Sequence, residues 1–341
     1  MNEIAKAQID IIRQRCEVIK PLVVIECTAY NHEPYIRDAL DGFIMQKTDF
    51  PFVVIVHDDA STDKTVEIIK KYAAKYPNII LPIYEKENQY SKKNGCLGPI
   101  LRSALHDTGA KYIAICEGDD YWIDTYKLQK QINFLESHPN IIYTCHRYKE
   151  QYNNKPDLTI ASNPYLDKFT SAEGFEFDLQ YVFKTDWVAK TLTSVYRAEC
   201  LYFDELRGCP YYRDIHNIYQ ILSRGNGYCF QFVGGVYRKQ ETGTWSQSDQ
   251  LKKAYIEVKT WESIYDKIPS KFNLWKIRNH YANYMIQALK KRKLFKVQNF
   301  IEFKSIFYSP IEFFKSITKI KKRNELRRIK TVGLNREDTT K

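Results

Sequence analysis

The sequence lacks the paired cysteines that mark a structural zinc site or a redox motif. Its eight cysteines are scattered, and no two of them stand in a C-x-x-C arrangement. A chain of 341 residues, 44% of them hydrophobic, is long enough to bury a sizeable core without disulfide bonds. We therefore expect reduced thiols that mostly fill the core, and no zinc site.

Long apolar runs are also missing. No stretch approaches the roughly 18 apolar residues that a membrane-spanning helix needs. The first residues, MNEIAK, have no apolar core of the kind that a signal peptide carries. These two absences predict a cytosolic protein without a membrane span.

Two glycine-rich phosphate-binding motifs are absent. The chain contains neither G-x-G-x-x-G nor G-x-x-x-x-G-K-[ST], which excludes the common dinucleotide fingerprint and the P-loop. Residues 28–33, which follow the first predicted strand, also lack the glycine-rich basic loop expected of a sugar nucleotidyltransferase. A nucleotide site in this chain must therefore be built from other groups.

Excess positive charge is missing from most of the chain. The formal net charge is +11, but residues 271–341 alone carry +14, from 19 basic and 5 acidic residues, and the rest carries −3. A near-neutral body argues against a nucleic-acid enzyme, whose basic surface would surround its site. In the tail, aromatic and aliphatic residues alternate with lysines, which predicts an amphipathic helix that meets an anionic membrane surface. The alternative is a helix packed on the body with a solvated basic face.

What the sequence does contain is a regular alternation of short apolar runs and amphipathic segments. The runs predict buried strands at residues 21–28, 52–57, 79–84 and 113–116, with helices between them. This order is typical of an α/β fold with a mostly parallel sheet covered by helices on both faces. The alternation breaks down after residue 148, and from about residue 251 the pattern is helical.

Acidic side chains follow two of these strands. Residues 58–59, both aspartates, follow the second strand, and Glu117, Asp119 and Asp120 follow the fourth. Because the carboxyl ends of parallel strands meet at one edge of a sheet, this arrangement predicts a nucleotide pocket there. Closely spaced carboxylates repel each other unless a cation joins them, which favours a divalent metal bound with a diphosphate. The alternative is structural: the aspartates cap the helices that follow, one of which is predicted to start near Tyr121.

These residues belong to four blocks that together resemble the family 2 glycosyltransferases, in particular bacterial enzymes that build surface polysaccharides. The blocks are TAYN and YI at residues 28–31 and 35–36, IVHDDASTDKT at 55–65, EGDDYW at 117–122, and YRD at 212–214 with YR at 237–238 and GTWS at 243–246. The second and third blocks are specific in this order and spacing. The resemblance covers about residues 20–247, so the tail lies outside it.

The resemblance implies a GT-A fold, a nucleotide-sugar donor, inversion at the anomeric carbon and a divalent metal, Mg²⁺ or Mn²⁺. It also implies that Thr28, Tyr30 and either Asp58 or Asp59 hold the base and the ribose of the donor. These four residues form the predicted nucleoside side of the site.

The third block carries the implied metal ligand. Asp119 matches the family's metal-binding aspartate, and Glu117 stands toward the nucleoside at a position where relatives mostly have Asp. Asp120 is expected to cap a helix or, alternatively, to contact the sugar or the acceptor. Many relatives carry a further histidine ligand after the Tyr-Arg pair, whereas this chain has lysine and glutamine at residues 239–240.

Transfer of a sugar to a hydroxyl needs a base that removes the acceptor proton. Asp214 opens a predicted helix where the family's catalytic aspartate lies, and we favour it as the base over Asp204 and Asp186. A structural role for Asp214, as the N-cap of that helix, is the alternative.

We therefore predict an N-terminal helix at residues 1–20, a GT-A domain at 21–250 with nucleotide-binding (21–125) and acceptor (126–250) halves, and a helical basic region at 251–341. The predicted function is metal-dependent, inverting transfer from a nucleotide-diphosphate sugar to a glycan or lipid-linked acceptor in surface polysaccharide synthesis. It would take place in the cytoplasm, with peripheral contact to the inner face of the cell membrane and no nucleic-acid partner. Two alternatives stay open: a non-catalytic nucleotide-sugar-binding or scaffold protein at a membrane, and a sugar nucleotidyltransferase.

Overall fold

Two units make up the chain, Met1–Asp204 with Asn217–Glu241 and Glu205–His216 with Thr242–Lys341. The computed structural model describes residues 3–92, 97–153, 155–162, 166–167, 173–185, 189–209, 212–239 and 249–290. The first unit contains a large sheet with helices, and the second contains a pair of long helices.

One sheet contains all the strands of the described residues. The strands are β1 (Val23–Ala29), β2 (Phe52–Asp58), β3 (Ile80–Tyr84), β4 (Tyr112–Ile115), β5 (Tyr121–Trp122), β6 (Ile141–Tyr152), β7 (Leu158–Ile160), β8 (Gly174–Phe177), β9 (Val195–Arg197) and β10 (Asn226–Lys239). Their order in the sheet is β3-β2-β1-β4-β9-β6-β10-β5, with β7 beside β6 and β8 beside β10.

The first half of this sheet is parallel and the second half is mixed. Strands β3, β2, β1 and β4 pair in parallel, as the strand–helix alternation predicts. Strand β9 then pairs antiparallel with both β4 and β6, and β10 is parallel to β6 but antiparallel to β5 and β8. The α/β fold is confirmed, and the antiparallel strands explain why the alternation breaks down after residue 148.

The described residues also form helices, which belong to both units. They are α1 (Glu3–Ile19), α2 (Ile36–Ile44), α3 (Thr65–Lys75), α4 (Leu97–Asp107), α5 (Lys127–Ser137), α6 (Leu179–Thr185), α7 (Asp214–Leu222), α8 (Gln250–Lys267) and α9 (Lys271–Lys290). Strand β2 is buried along its whole length, as expected for a parallel strand covered on both faces. Full burial of each of its valine and isoleucine side chains stabilises the fold by roughly 1.5–3 kcal/mol.

The structural alternative, in which the aspartates cap a helix that starts near Tyr121, is wrong. Tyr121 and Trp122 form the short strand β5, which pairs with Val236 and Gly235 of β10. The Trp122 indole donates to the carbonyl of Leu192 at 2.8 Å and fixes this strand from the other side. The next helix, α5, begins only at Lys127, so the acidic residues before Tyr121 cap no helix.

Helix α1, predicted at residues 4–19, is docked on the edge strand β3. The side chain of Gln8 accepts a bond from the Tyr84 amide at 2.8 Å and donates to the Tyr84 carbonyl at 3.1 Å. Gln8 thus satisfies both backbone groups of one residue at the open edge of the sheet.

The second unit is built on the antiparallel contact of α8 and α9. Asp249 caps α8 by accepting a bond from the Leu251 amide at 3.2 Å. Trp261 of α8 stacks on His280 of α9 with ring centres 5.9 Å apart. The predicted helical character after residue 251 is confirmed up to residue 290, and the rest of the tail lies outside the described residues. Within the described residues, every helix is too short or too polar to cross a membrane.

Candidate active site

The acidic segment after β4 begins alongside the end of β1. The amide of Gly118 donates to the carbonyl of Thr28 at 2.9 Å. A Cβ atom at Gly118 would lie 2.8 Å from Ile36 Cδ1, so a larger residue does not fit without a shift. This close approach sets Glu117 and Asp119, on either side of the glycine, at the carboxyl edge of the sheet.

Glu117 is half-buried and is held by a hydroxyl from the other half of the sheet. Thr191 Oγ1 donates to Glu117 Oε2 at 2.7 Å, from the short 3-10 turn Thr191–Thr193 that precedes β9. This length is typical of a bond to an ionised carboxylate. The contact fixes the orientation of the Glu117 side chain.

The Asp119 carboxylate is half-buried and has no hydrogen-bond or ion-pair partner among the described residues. Its backbone carbonyl, in contrast, accepts a bond from Arg238 Nη1 at 3.0 Å. Burial, reinforced by the nearby carboxylates, raises the pKa of Tyr237 to about 12. Burial also lowers the pKa of His32, against the opposing charge of Asp119, and His32 Nδ1 is buried without a partner in the described part of the chain. Tyr237 and His32 therefore lie close to Asp119.

Asp120 points into the protein. Its side chain is buried, and its Oδ1 accepts a bond from the Arg238 amide at 2.7 Å. Burial raises the pKa of Asp120 well above its ordinary value, and repulsion by Asp119 and Glu117 raises it further. The structure thus gives Asp120 a role in joining the acidic segment to β10, in place of the predicted helix cap.

The aspartate pair after β2 lies at the same edge of the sheet and organises the loops there. Asp58 is fully buried and accepts bonds from the amide and the hydroxyl of Ser61, at 3.0 and 2.5 Å. Burial raises the pKa of Asp58, and the two Ser61 bonds partly offset this. Asp59 accepts bonds from the amides of Gln89 and Tyr90, at 2.6 and 3.0 Å, and so holds the loop after β3.

The loops after β1 and β2 are bonded to each other. The amide of Asn31 donates to Ser61 Oγ at 2.9 Å, and the amide of Thr62 donates to Asn31 Oδ1 at 2.8 Å. The amide of Glu33 donates to Asp63 Oδ2 at 3.0 Å. Several polar residues of the first two sequence blocks therefore stabilise the rim of the site.

Thr28 and Tyr30 lie at the end of β1, where the sequence predicts the nucleoside. Thr28 is half-buried and pairs with His57 of β2 in the sheet register. Tyr30 follows the last residue of the strand and is 44% exposed. A half-buried hydroxyl and an exposed ring at the carboxyl edge are suited to a sugar hydroxyl and a base.

Asp214 belongs to the second unit, where it is the exposed first residue of α7. The residues around it are fixed: Arg213 Nη1 pairs with Glu257 at 2.7 Å, and the Arg213 amide donates to His216 Nδ1 at 3.0 Å. His216 is fully buried, and its Nε2 lies 3.0 Å from Ser263 Oγ. Burial lowers the pKa of His216 to about 4, so the ring is neutral at neutral pH and donates from Nε2. These contacts present the Asp214 carboxylate to solvent.

Lys239 directly follows the Tyr-Arg pair of the fourth block. The resemblance described above implies a further metal-binding histidine after this pair in many relatives. Lys239 Nζ pairs with Glu150 Oε2 at 2.6 Å and lies 2.9 Å from the Tyr152 hydroxyl. Gln240 and the GTWS block at residues 243–246 lie outside the described residues, as does the basic segment 291–341.

Arg238 is a part of this edge that the sequence reasoning missed. It is buried near the end of β10 and contacts both Asp119 and Asp120, more than a hundred residues earlier in the chain. In the sequence, Arg238 is noticeable only as part of the YR pair of the fourth block. That pair alone does not indicate which residues Arg238 contacts. Only the pairing of β10 with β5 brings Arg238 to the acidic segment.

Sequence comparison relates the chain to a known protein family. The model of the family described as glycosyl transferase family 2 matches residues 25–197. The uncharacterized protein Rv1520 of Mycobacterium tuberculosis is 44% identical over 124 residues, which are 36% of this chain and 34% of that protein. Poly(ribitol-phosphate) beta-N-acetylglucosaminyltransferase TarS of Staphylococcus aureus is 32% identical over 112 residues, which are 32% of this chain and 18% of that protein. The matched segments thus span about a third or less of these two relatives.

Solved structures extend the likeness over most of the chain. A crystallised TarS fragment in complex with UDP-GlcNAc has a TM-score of 0.56 at 17% identity, covering 86% of this chain and 79% of that one. The mannosyltransferase PcManGT from Pyrobaculum calidifontis, in complex with GDP-Man and Mn²⁺, has a TM-score of 0.50 at 15% identity and covers 92% of both chains. These likenesses concern the fold, and the GT-A architecture expected from the sequence is confirmed.

Proposed function

Because the chain belongs to glycosyl transferase family 2, we propose that it moves a sugar from a nucleotide-diphosphate sugar to a hydroxyl of a glycan or lipid-linked acceptor in surface polysaccharide synthesis, with inversion. The observation that carries this proposal is the acidic edge, where Asp58, Asp59, Glu117 and Asp120 bind protein groups but the Asp119 carboxylate has no partner among the described residues. A carboxylate held at a ligand edge in this way is suited to an external cation. The UDP-GlcNAc and GDP-Man of the two similar structures support a nucleotide-sugar donor.

A divalent metal fits the side chains of this site. In the described part of the chain, no group of three or more His, Cys, Asp or Glu is arranged to hold a metal by itself. Mg²⁺ is usually bound through one or two carboxylates together with substrate phosphates and water, which matches the Asp119 carboxylate, since it has no partner among the described residues. Asp119 would therefore hold Mg²⁺ or Mn²⁺ together with the diphosphate of the donor. The bound metal would supply neutralisation of the negative charge on the leaving diphosphate.

The nucleoside is assigned to the edge formed by β1 and β2. Tyr30 offers an exposed ring for the base, and Thr28 offers a hydroxyl beside it. Asp59 already accepts hydrogen bonds from two backbone amides. An ionised carboxylate can accept about four hydrogen bonds, so Asp59 can still accept one from an N–H or O–H group of the base or ribose. Asp58 is fully buried and bonded to Ser61, so we assign the direct contact to Asp59 and a supporting role to Asp58.

The acceptor side is assigned to Asp214. In the proposed reaction Asp214 takes the proton of the acceptor hydroxyl as the oxygen attacks the anomeric carbon, and the nucleotide diphosphate leaves from the opposite face. Such a base typically contributes about 10²- to 10⁴-fold in rate. The neutral His216 beside it does not compete for this proton at neutral pH, because both of its ring nitrogens are engaged within the protein.

The positive charge of residues 271–341 supports an anionic acceptor or an anionic membrane surface as a partner. Residues 271–341 carry a net +14, and anionic lipid headgroups attract such segments by about 1 kcal/mol per basic residue near the surface. The name of TarS, a similar protein, refers to poly(ribitol-phosphate), which is also anionic. We therefore place the reaction in the cytoplasm at the inner face of the cell membrane.

The proposal is tested by donor binding and then by transfer. UDP-, GDP-, dTDP- and CMP-sugars are screened by thermal shift with and without Mn²⁺, because a ligand that binds the folded state raises the melting temperature. One donor class is expected to give a shift that depends on Mn²⁺. Absence of a shift with every donor would remove the proposal, and a shift without transfer or hydrolysis would favour a non-catalytic nucleotide-sugar-binding protein.

Two variants separate the metal ligand from the base. Asp119→Asn is expected to abolish both transfer and the Mn²⁺-dependent part of the thermal shift. Asp214→Asn is expected to abolish transfer while the shift stays as in the wild type. Full transfer activity in Asp214→Asn would disprove the assignment of the base, and an unchanged Mn²⁺ effect in Asp119→Asn would disprove that of the metal ligand.

A further inference from the structure

Arg238 joins strand β10 to the acidic segment, and we propose that it is a positioning residue that fixes Asp119 for the metal. The inference rests on the proposed function, in which Asp119 holds a divalent ion with the donor diphosphate. Arg238 itself does not touch the ion or the donor in this proposal. It acts through the backbone of the acidic segment.

The first argument is that Arg238 binds two consecutive residues of the acidic segment, Asp119 through its backbone and Asp120 through its side chain. Its Nη1 donates to the carbonyl of Asp119 at 3.0 Å, and its backbone amide donates to Asp120 Oδ1 at 2.7 Å. The Asp119 side chain has no partner of its own in the described residues, so its position depends on its backbone and its rotamer. Fixing the Asp119 carbonyl and the neighbouring Asp120 side chain therefore fixes the backbone from which the Asp119 carboxylate projects and limits where that carboxylate can lie.

The second argument is that the guanidinium of Arg238 is itself immobilised from several elements. Nε donates to Gln151 Oε1 of β6 at 3.0 Å, and Nη2 pairs with Asp38 of α2. The charge lies 4.3 Å from the ring centre of Tyr121 and 5.3 Å from that of Tyr35. A planar fork with fixed donor directions can satisfy these partners at once, whereas a lysine ammonium cannot.

The third argument separates this role from a direct contact with phosphate. The Arg238 side chain is only 5% exposed, and each of its three nitrogens has a protein partner. A donor phosphate would have to displace Asp38, Gln151 or the Asp119 carbonyl to reach it. Arg238 is therefore a support for the site, comparable to the outer groups that orient metal ligands in other proteins.

Loss of such support is expected to lower the metal affinity and the activity by a measurable factor. Mutation of outer groups that orient metal ligands typically reduces metal affinity or activity by about 10- to 100-fold. For Arg238→Lys we expect the Mn²⁺ concentration that half-saturates the thermal shift with UDP or GDP to rise by about tenfold or more. The rate of transfer at saturating Mn²⁺ is expected to fall as well, because a displaced Asp119 misplaces the donor.

A matched control comes from another arginine of the same sheet. Arg197 in β9 also binds backbone carbonyls, those of Leu135 at 2.7 Å and Ile141 at 3.1 Å, but it pairs with Tyr112 at the opposite end of β4. Arg197→Lys is expected to lower the melting temperature without changing the Mn²⁺ dependence. A general loss of stability is thereby distinguished from a loss of positioning.

The measurement is a Mn²⁺ titration, with fixed UDP and with fixed GDP, of the wild type, Arg238→Lys, Arg197→Lys and Asp38→Asn. Asp38 is 51% exposed, so its variant is expected to fold and to weaken Mn²⁺ binding several-fold by removing the charge that pairs with Nη2. If the wild type shows no Mn²⁺-dependent binding, the proposed function fails. If the wild type binds but Arg238→Lys binds equally well, this inference is overturned. Should Arg238→Lys not fold, an unchanged affinity in Asp38→Asn overturns it.

Discussion

Replacing Lys127 with methionine is expected to stabilise the protein at neutral pH. The Lys127 side chain is fully buried, and its Nζ lies 3.9 Å from the ring centre of Trp122 with no hydrogen-bond partner in the described residues. Burial lowers the pKa of Lys127 from 10.5 to about 7, and interactions with Cys116 and Asp124 oppose this only in part. Methionine is similar in length and is uncharged, so it fills the same space without an amine.

The magnitude follows from the pKa difference between the folded and unfolded chains. Because the unfolded lysine keeps its proton up to about pH 10.5, burying the amine disfavours folding at pH 7 by about 4 kcal/mol. Attraction between the ammonium and the Trp122 indole offsets up to about 2 kcal/mol of this. The net gain expected for Lys127→Met at pH 7 is therefore roughly 2 kcal/mol, or about 4–8 °C in melting temperature for a unit of this size.

The sign of the pH dependence makes this prediction specific to Lys127. Between pH 7 and 10.5 the unfolded chain holds a proton that the folded chain has released, so the wild type gains stability as pH rises through this window. The Lys127→Met variant lacks this contribution. Its advantage over the wild type should be full at and below pH 7 and should disappear near pH 10.5.

The assay is thermal unfolding, followed by tryptophan fluorescence, of the wild type and two variants at intervals from pH 6.5 to 10. Lys130→Met is the control, because Lys130 lies on the same helix, is 43% exposed and pairs with Asp124. Its effect should be small and should not change across this pH range. A Lys127→Met protein that is less stable than the wild type, by the same amount at every pH, would refute the reasoning, since it would mean that the buried amine is satisfied.

Two further changes test the loop and the second unit. Gly118→Ala places a Cβ atom 2.8 Å from Ile36 Cδ1, so it is expected to destabilise the first unit by about 1–3 kcal/mol and to weaken donor binding, measured by thermal shift with and without nucleotide. Acidification from pH 6.5 to 4 is expected to destabilise the second unit by up to about 3 kcal/mol, because unfolded His216 takes up a proton there that the folded protein, with a pKa of about 4, refuses. In His216→Gln this contribution to the pH dependence of the melting temperature should be absent, and a slope equal to that of the wild type would contradict the assignment.

The parallel half of the fold was predictable from the sequence because its strands are short apolar runs between amphipathic helices. Such a pattern depends only on local periodicity, and β1 to β4 follow it. The strand β5 was not predictable, because Tyr121 and Trp122 pair with Gly235 and Val236, more than a hundred residues later. Tertiary pairing there decides the structure of two residues that a local pattern assigns to a helix start.

The same distinction applies to the site. The carboxylates at the ends of β2 and β4 were predictable, since their position follows from strand ends in a parallel sheet. Their partners were not: Gln89 and Tyr90 bind Asp59, and Arg238 binds both Asp119 and Asp120, through contacts that sequence spacing does not specify. Sequence reasoning therefore found the carboxylates at this edge of the sheet and missed the residues that hold them.

Glu117, which departs from the family's usual aspartate, shows how the two kinds of group depend on each other. Its carboxylate accepts a bond from Thr191, a residue 74 positions later that precedes the antiparallel strand β9. An aspartate would be one methylene shorter and would not reach this hydroxyl without movement of the segment after β4. That segment is fixed by the fit of Gly118 against Ile36 and by the bond from Arg238 to the Asp119 carbonyl. The longer side chain is thus matched to Thr191, and the proposed contact of Glu117 with the nucleoside depends on both residues.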